Sequence, residues 1–186
     1  MSFSSSVTAN LRRVPTSREP TAGLGRHAIV AHVDRWYTRP RGTADARAVL
    51  VVLDVDLDDA LPRDEAEELE RRSRLGRTVE RALSARIRHG DAVARIDAGR
   101  FAILRAGRLS DEHTAAFESR ELAHAVEEAL VGRPEGFGVR VTVGATTLVG
   151  DDARAGQEAL GSVTAAMLEG KLLTDDRVVV VVAPRG

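Results

Sequence analysis

The run Arg47-Ala48-Val49-Leu50-Val51-Val52-Leu53-Asp54 restricts this chain more than any other stretch. Its apolar residues are continuous rather than alternating, and half of its six aliphatic positions are β-branched valines. A strand with that pattern is buried on both faces, so it belongs inside a sheet that is covered on each side. The run ends in Asp54-Val55-Asp56, which places two carboxylates where the buried segment gives way.

The other elements can be read around that strand. Asp91 to Leu104 forms a hairpin by pattern, with Asp97-Ala98-Gly99 as a tight polar turn between two apolar segments. Leu24, Ala28, Ile29, Val33 and Trp36 recur at helical spacing and predict a helix over 24–37, which docks on the domain or on a second copy. Arg63 to His89 is helical through Leu75, Val79, Leu83 and Ile87, with Gly76 as a weak point. Glu67, Glu68 and Glu70 each precede an arginine by four residues, at Arg71, Arg72 and Arg74, as on a solvated helix face. Asp111 to Val131 predicts a further helix with Phe117, Leu122, Val126 and Leu130 inward. Gly138 to Leu148 alternates as a strand, Gln157 to Leu173 is the last helix, and Arg177 to Ala183 the last strand. Residues 1–20, rich in Ser, Thr, Arg and Pro without periodicity, predict a disordered tail, which leaves 21–183 as one domain.

Composition removes several function classes. With four Phe, one Trp and one Tyr, the chain lacks the stacking platforms of a single-strand nucleic-acid binder. A net charge of −1, with both signs mixed, offers no basic patch for nucleic acid or membrane. The absence of cysteine excludes disulfides and thiolate metal sites. No apolar run approaches the roughly 18–20 residues of a membrane span, and Met1 to Thr21 lacks the apolar core of a secretion signal, so a cytoplasmic protein is expected. Of the five histidines (His27, His32, His89, His113, His124), none has metal-ligand spacing with carboxylates. His27 and His32, five apart on a helix, fall on different faces.

The segment from Arg88 through Asp91, Val93, Ala94, Arg95 and Ile96, followed by a turn ending in Phe101, resembles the signature hairpin of the GGDEF family. These are the diguanylate cyclases, which join two GTP molecules into cyclic di-GMP. The family turn reads Gly-Gly-Asp/Glu-Glu-Phe; here it reads Asp97-Ala98-Gly99-Arg100-Phe101. Other fragments fit the same family. Thr21-Ala22-Gly23-Leu24-Gly25-Arg26 stands where it opens with Leu-Thr-Gly-Leu-x-Asn-Arg, and Asp54-Val55-Asp56 where its first strand ends Asp-x-Asp. Thr142 and Gly144 match its Val-Ser-x-Gly-x-Ala segment, and Lys171 and Arg177 match its Ala-Lys-x-x-Gly-Arg-Asn-Arg-Val. The resemblance runs from about Thr21 to Ala183. It implies the α/β (α+β) ferredoxin-like palm of nucleotidyl cyclases, a mainly antiparallel sheet of about five strands with helices around it, in agreement with the element order.

The resemblance also implies what has been lost. In the family, magnesium is held by the first Asp of that strand, here Asp54, and by the third and fourth turn positions, here Gly99 and Arg100. The guanine-reading asparagine is replaced by Pro62 or a neighbour, the second guanine contact falls near Ser73, and the phosphate-facing arginine has become Asp175. The chain is therefore expected to be a degenerate, non-catalytic member without a cofactor or metal. Arg88-His89-Gly90-Asp91 matches the family's Arg-x-x-Asp product site, with Arg120 as a third contact. An arginine fork and an aspartate suit phosphate and guanine edges, which makes cyclic di-GMP the expected ligand. The same four residues also read as a helix C-terminus, a glycine cap and a strand start. Asp54, Asp56 and Lys171 form a residual nucleotide or metal site on this reading. A ligand-free association module, through self-pairing or a protein partner, and a residual GTP-binding domain remain the alternatives.

Overall fold

The computed structural model describes residues 25–38, 47–57, 64–107, 112–149, 155–173 and 178–182. Along the chain these form α1 (Gly25–Tyr37), β1 (Arg47–Leu57), α2 (Glu65–Ala85), β2 (Ala92–Arg95), β3 (Arg100–Gly107), α3 (Glu112–Leu130), a 3₁₀ turn (Pro134–Gly136), β4 (Val139–Val149), α4 (Gly156–Leu173) and β5 (Val178–Val182). The expectations placed on residues 1–20, Pro62, Asp175 and Arg177 lie outside the described residues.

One sheet of five strands, ordered β2-β3-β1-β4-β5, carries the molecule. Strand β1 lies at its centre, antiparallel to β3 on one side and to β4 on the other. Strand β2 pairs antiparallel with β3, while β5 runs parallel to β4. This is the palm that the sequence predicts, with one parallel edge.

The continuity of the apolar run in β1 now has its explanation. Val49, Val51, Leu53 and Val55 point into a core closed by α2 and α3, together with Leu75, Val79, Leu83, Leu122 and Val126. Leu50 and Val52 point the other way, into a core closed by α1 and α4, with Ile29, Val33, Trp36, Leu160, Val163 and Met167. The α1 stripe is thus covered by the chain's own sheet.

Three local expectations change. Phe117 is 59% exposed, because the inward row of α3 is Ala115, Ser119, Leu122, Val126 and Leu130. Helix α2 continues through Gly76, where an added Cβ would come within 2.8 Å of the Arg95 guanidinium, so this glycine serves a close approach. Of the three predicted pairs on α2, Glu68–Arg72 and Glu70–Arg74 form at 2.8 and 2.7 Å. Arg71 turns inward instead, is buried, and donates to the backbone carbonyls of Glu135 and Phe137 ahead of β4.

Glu135 completes that tie between α2 and the start of β4. Its carboxylate accepts from the Thr78 hydroxyl at 3.1 Å and lies 3.9 Å from Arg133. Its own backbone N–H, then Thr78 and Arg133, outweigh burial and hold the carboxyl below its ordinary value of 4.5. A carboxyl held low in the folded state contributes stability above its unfolded pKa and loses it as pH falls through the folded one. Glu135→Gln is therefore predicted to be about 1 kcal/mol less stable than the parent at pH 7. Urea unfolding should show that gap shrinking below about pH 4.5; an equal gap at pH 3 and pH 7 would contradict the assignment.

Candidate functional site

The carboxyl end of β1, the hairpin turn and the last turns of α4 meet at one end of the sheet. Register sets the meeting: Asp54 lies opposite Arg100 on β3 and opposite Thr142 on β4. Asp54 is buried, and both of its oxygens face cations. Arg100 Nε stands 3.3 Å from Oδ1, and Lys171 Nζ stands 3.1 Å from Oδ2. Lys171, the chain's only lysine, also pairs with Asp56. The four groups sum to zero charge and link three elements: β1, the hairpin and α4. Burying a carboxylate is costly unless it is paired, and here the pairing comes from within the chain.

The turn is fastened from several sides. Val55 N–H donates to Gly99 O at 2.9 Å, and Ile96 N–H to Arg100 O at 2.8 Å. The Asp97 carboxylate accepts from Ala98 N–H at 2.7 Å. Arg95 Nε donates to Asp97 O at 3.2 Å, while its Nη2 donates to Ala98 O. The same guanidinium lies 5.8 Å from the centre of the Phe101 ring, and Phe101 itself is fully buried. At Gly99 an added Cβ would stand 2.6 Å from Val55 O, a backbone atom, so this turn has no room for a side chain there. Between the turn and α2 lies a cleft of about 30 Å³, lined by Val55, Leu57, Leu75, Gly76, Val79 and Phe101 among others.

The Arg88–Asp91 pair sits elsewhere, in the turn that joins α2 to β2. Gly90 has φ of 94° and sits within this turn, whereas helix α2 is capped earlier, at Arg86. The Asp91 side chain is only 2% exposed, and its carboxylate accepts from Arg88 N–H at 3.0 Å and Ala106 N–H at 3.3 Å. Arg105 Nε lies 3.9 Å away. The Arg88 guanidinium is largely exposed but donates to Glu118 at 3.2 Å, and Glu118 pairs with Arg105 as well. Burial, followed by the charge of Arg88, draws the Arg105 guanidinium below its ordinary value. The Asp91 carboxylate is thus engaged within the chain, by the turn before β2 and by β3. Arg120 is exposed on α3, two positions past Glu118 and about 200° around the helix, so the structure does not bring it to this pair.

Asp54, Asp56 and Lys171, grouped in the sequence analysis, lie together beside Arg100 of the turn, and nothing in the sequence signalled that Arg100 and Lys171 would both grip Asp54. Sequence reasoning missed Arg95, Arg105 and Glu118. Glu118 had a signal, since a charged residue at an inward helical position between Ala115 and Leu122 needs a buried partner. Among the described residues, no group of three His, Asp or Glu is gathered as a metal site. None of the described helices is long and apolar enough to cross a membrane.

If the ion quartet holds this end together, then Arg100→Ala with Lys171→Ala leaves the Asp54 carboxylate buried and alone. The double variant is predicted to lose about 3 kcal/mol by chemical denaturation, and adding Asp54→Asn should restore part of that loss. A double variant as stable as the parent would show that the quartet contributes nothing.

The sequence matches no family model and no curated protein. Its fold does have solved counterparts. The GGDEF domain of DgcB from Caulobacter crescentus, solved in complex with c-di-GMP, is 18% identical with a TM-score of 0.62, over 87% of this chain and 95% of that one. The active GGEEF domain of a diguanylate cyclase from Vibrio cholerae is 14% identical with a TM-score of 0.58, over 87% and 98%. Diguanylate cyclase SiaD from Pseudomonas aeruginosa, in complex with its activator SiaC, is 18% identical with a TM-score of 0.61, over 86% of this chain and 58% of that one. The chain therefore has the fold of the GGDEF domains of diguanylate cyclases.

Proposed function

We propose that this chain is a GGDEF-fold domain without cyclase activity, which works as a regulatory module by associating with protein. One observation carries the reading: both oxygens of Asp54 are engaged by Arg100 and Lys171, at the place where the family resemblance puts magnesium.

A magnesium ion requires several hard oxygen ligands in near-octahedral array, and it organises phosphoryl transfer by neutralising charge on the phosphates. The residues here do not fit that ion. Asp54 and Asp56 are already neutralised, the third turn position has no room for a side chain, and the fourth is a cation. Arg100 supplies charge but no oxygen.

Cyclic di-GMP is the ligand suggested by the DgcB complex. Binding at Arg88 and Asp91 would require the Asp91 carboxylate to leave two backbone N–H groups, and Arg88 to leave Glu118. That cost favours protein association over a ligand role for this pair. SiaD, over 58% of whose length this fold matches, is a cyclase seen in complex with a protein activator.

The test is an assay of the purified protein with GTP and Mg²⁺ or Mn²⁺. No cyclic di-GMP is expected to form; synthesis that disappears in Asp54→Ala would overturn the proposal. Calorimetry with cyclic di-GMP is expected to give no heat for the parent. Saturable heat that is lost in Arg88→Ala would restore the receptor reading in its place.

A further inference from the structure

Helix α4 has two apolar faces. Ala159, Leu160, Val163 and Met167 fill the core beneath the sheet. Gly161, Ala165, Leu168 and Leu172 are spaced four, three and four residues apart. At 100° per residue they fall within an arc of about 60°, nearly opposite that buried face. All four are exposed, Leu168 by 41% and Leu172 by 86%, and no charge interrupts the row. Helix α2 is different: apart from Leu69 it turns Glu65, Glu67, Glu70, Arg74, Arg77 and Arg81 outward, and α3 exposes a single large apolar residue, Phe117. A helix that is apolar on opposite sides loses surface to water unless something covers both.

We propose that a second copy of this chain covers the outer face, with α4 packed antiparallel on α4 about a two-fold axis. The row is self-complementary in that direction only. Antiparallel pairing about the midpoint between Ala166 and Met167 places Leu172 of each copy over Gly161 of the other, and Leu168 over Ala165. Large residues at one end then meet small ones at the other, as knobs enter holes. Gly161 faces open space, since a Cβ built there meets no atom within 4 Å, so nothing of the chain itself blocks a side chain from the other copy. Parallel pairing would instead stack leucine on leucine at one end and leave a gap at the glycines.

Area sets the strength. Paired about that midpoint, the two helices overlap only over residues 160–173, about 21 Å, and a seam that short covers less than half of the ~800 Å² per partner in a standard stable interface. The dimer is accordingly weak and reversible, forming at concentrations of tens of micromolar and above. The α1 stripe, the other candidate seam, is used within the chain by Ile29, Val33 and Trp36.

Sedimentation of the full chain from about 5 to 500 µM tests the proposal. The average mass is expected to rise toward that of a dimer, and Ala165→Glu, on the exposed face, is expected to hold the monomer throughout while leaving the melting temperature near that of the parent. Because the chain has no cysteine, the register can be read directly. Gly161→Cys combined with Leu172→Cys is expected to form a disulfide-linked dimer under mild oxidation, whereas Gly161→Cys alone is expected to remain monomeric. A monomer at 500 µM, a dimer indifferent to Ala165→Glu, or ready crosslinking of the single variant would each overturn the proposal. So would a monomer that co-sediments with phospholipid vesicles through this face.

Discussion

The carboxylate of Asp54 lies toward the end of β1, the central strand of the sheet, and its charge has to be balanced there. The chain balances it with a guanidinium from the hairpin and an ammonium from α4. An ion pair in such a place adds little net stability compared with an apolar filling, but removing one partner is costly, so the pairing constrains position more than it strengthens the fold. It fixes the hairpin turn and the end of α4 relative to β1, and it occupies the carboxylate that metal chemistry would need. The placing of the turn and of α4, and the engagement of both Asp54 oxygens, thus come from the same contacts.

The turn adds a second constraint of a different kind. Gly99 lies so close to Val55 O that the third turn position is reserved for glycine, and Arg95 closes over the turn by binding its carbonyls, covering Phe101 and pressing against Gly76. Replacing Arg100 by an acid would therefore return only one ligand. The hairpin would still have to move before a second could enter.

Much of the fold was legible because its signals are local and periodic. Continuous valine and leucine in β1 told of burial on two faces, and the helical rows on α1 and α2 fell where they were expected. The meeting of Asp54 with Arg100 was legible only through a family pattern, since residues 46 positions apart carry no mutual signal of their own. Phe117 misled because it is apolar, while the true inward row of α3 runs through Ala115 and Ser119, small residues that weigh little in a hydrophobic pattern. Arg71 misled in the opposite way. An arginine four residues after a glutamate reads as surface, and only the backbone carbonyls before β4, far along the sequence, reveal why it turns in. The Arg-x-x-Asp match was ambiguous by nature, because the same residues that suit a nucleotide also suit a turn, and the buried Asp91 carboxylate serves that turn.

If the chain's own cations occupy the place of a metal ion beside Asp54, that place is closed to an added divalent ion. Titration with Mn²⁺, followed by paramagnetic broadening of backbone amide resonances, reads that place directly. No selective broadening is expected at Asp54, Val55, Asp56 or Gly99 in the parent protein at millimolar Mn²⁺. Saturable broadening centred on those residues would contradict it.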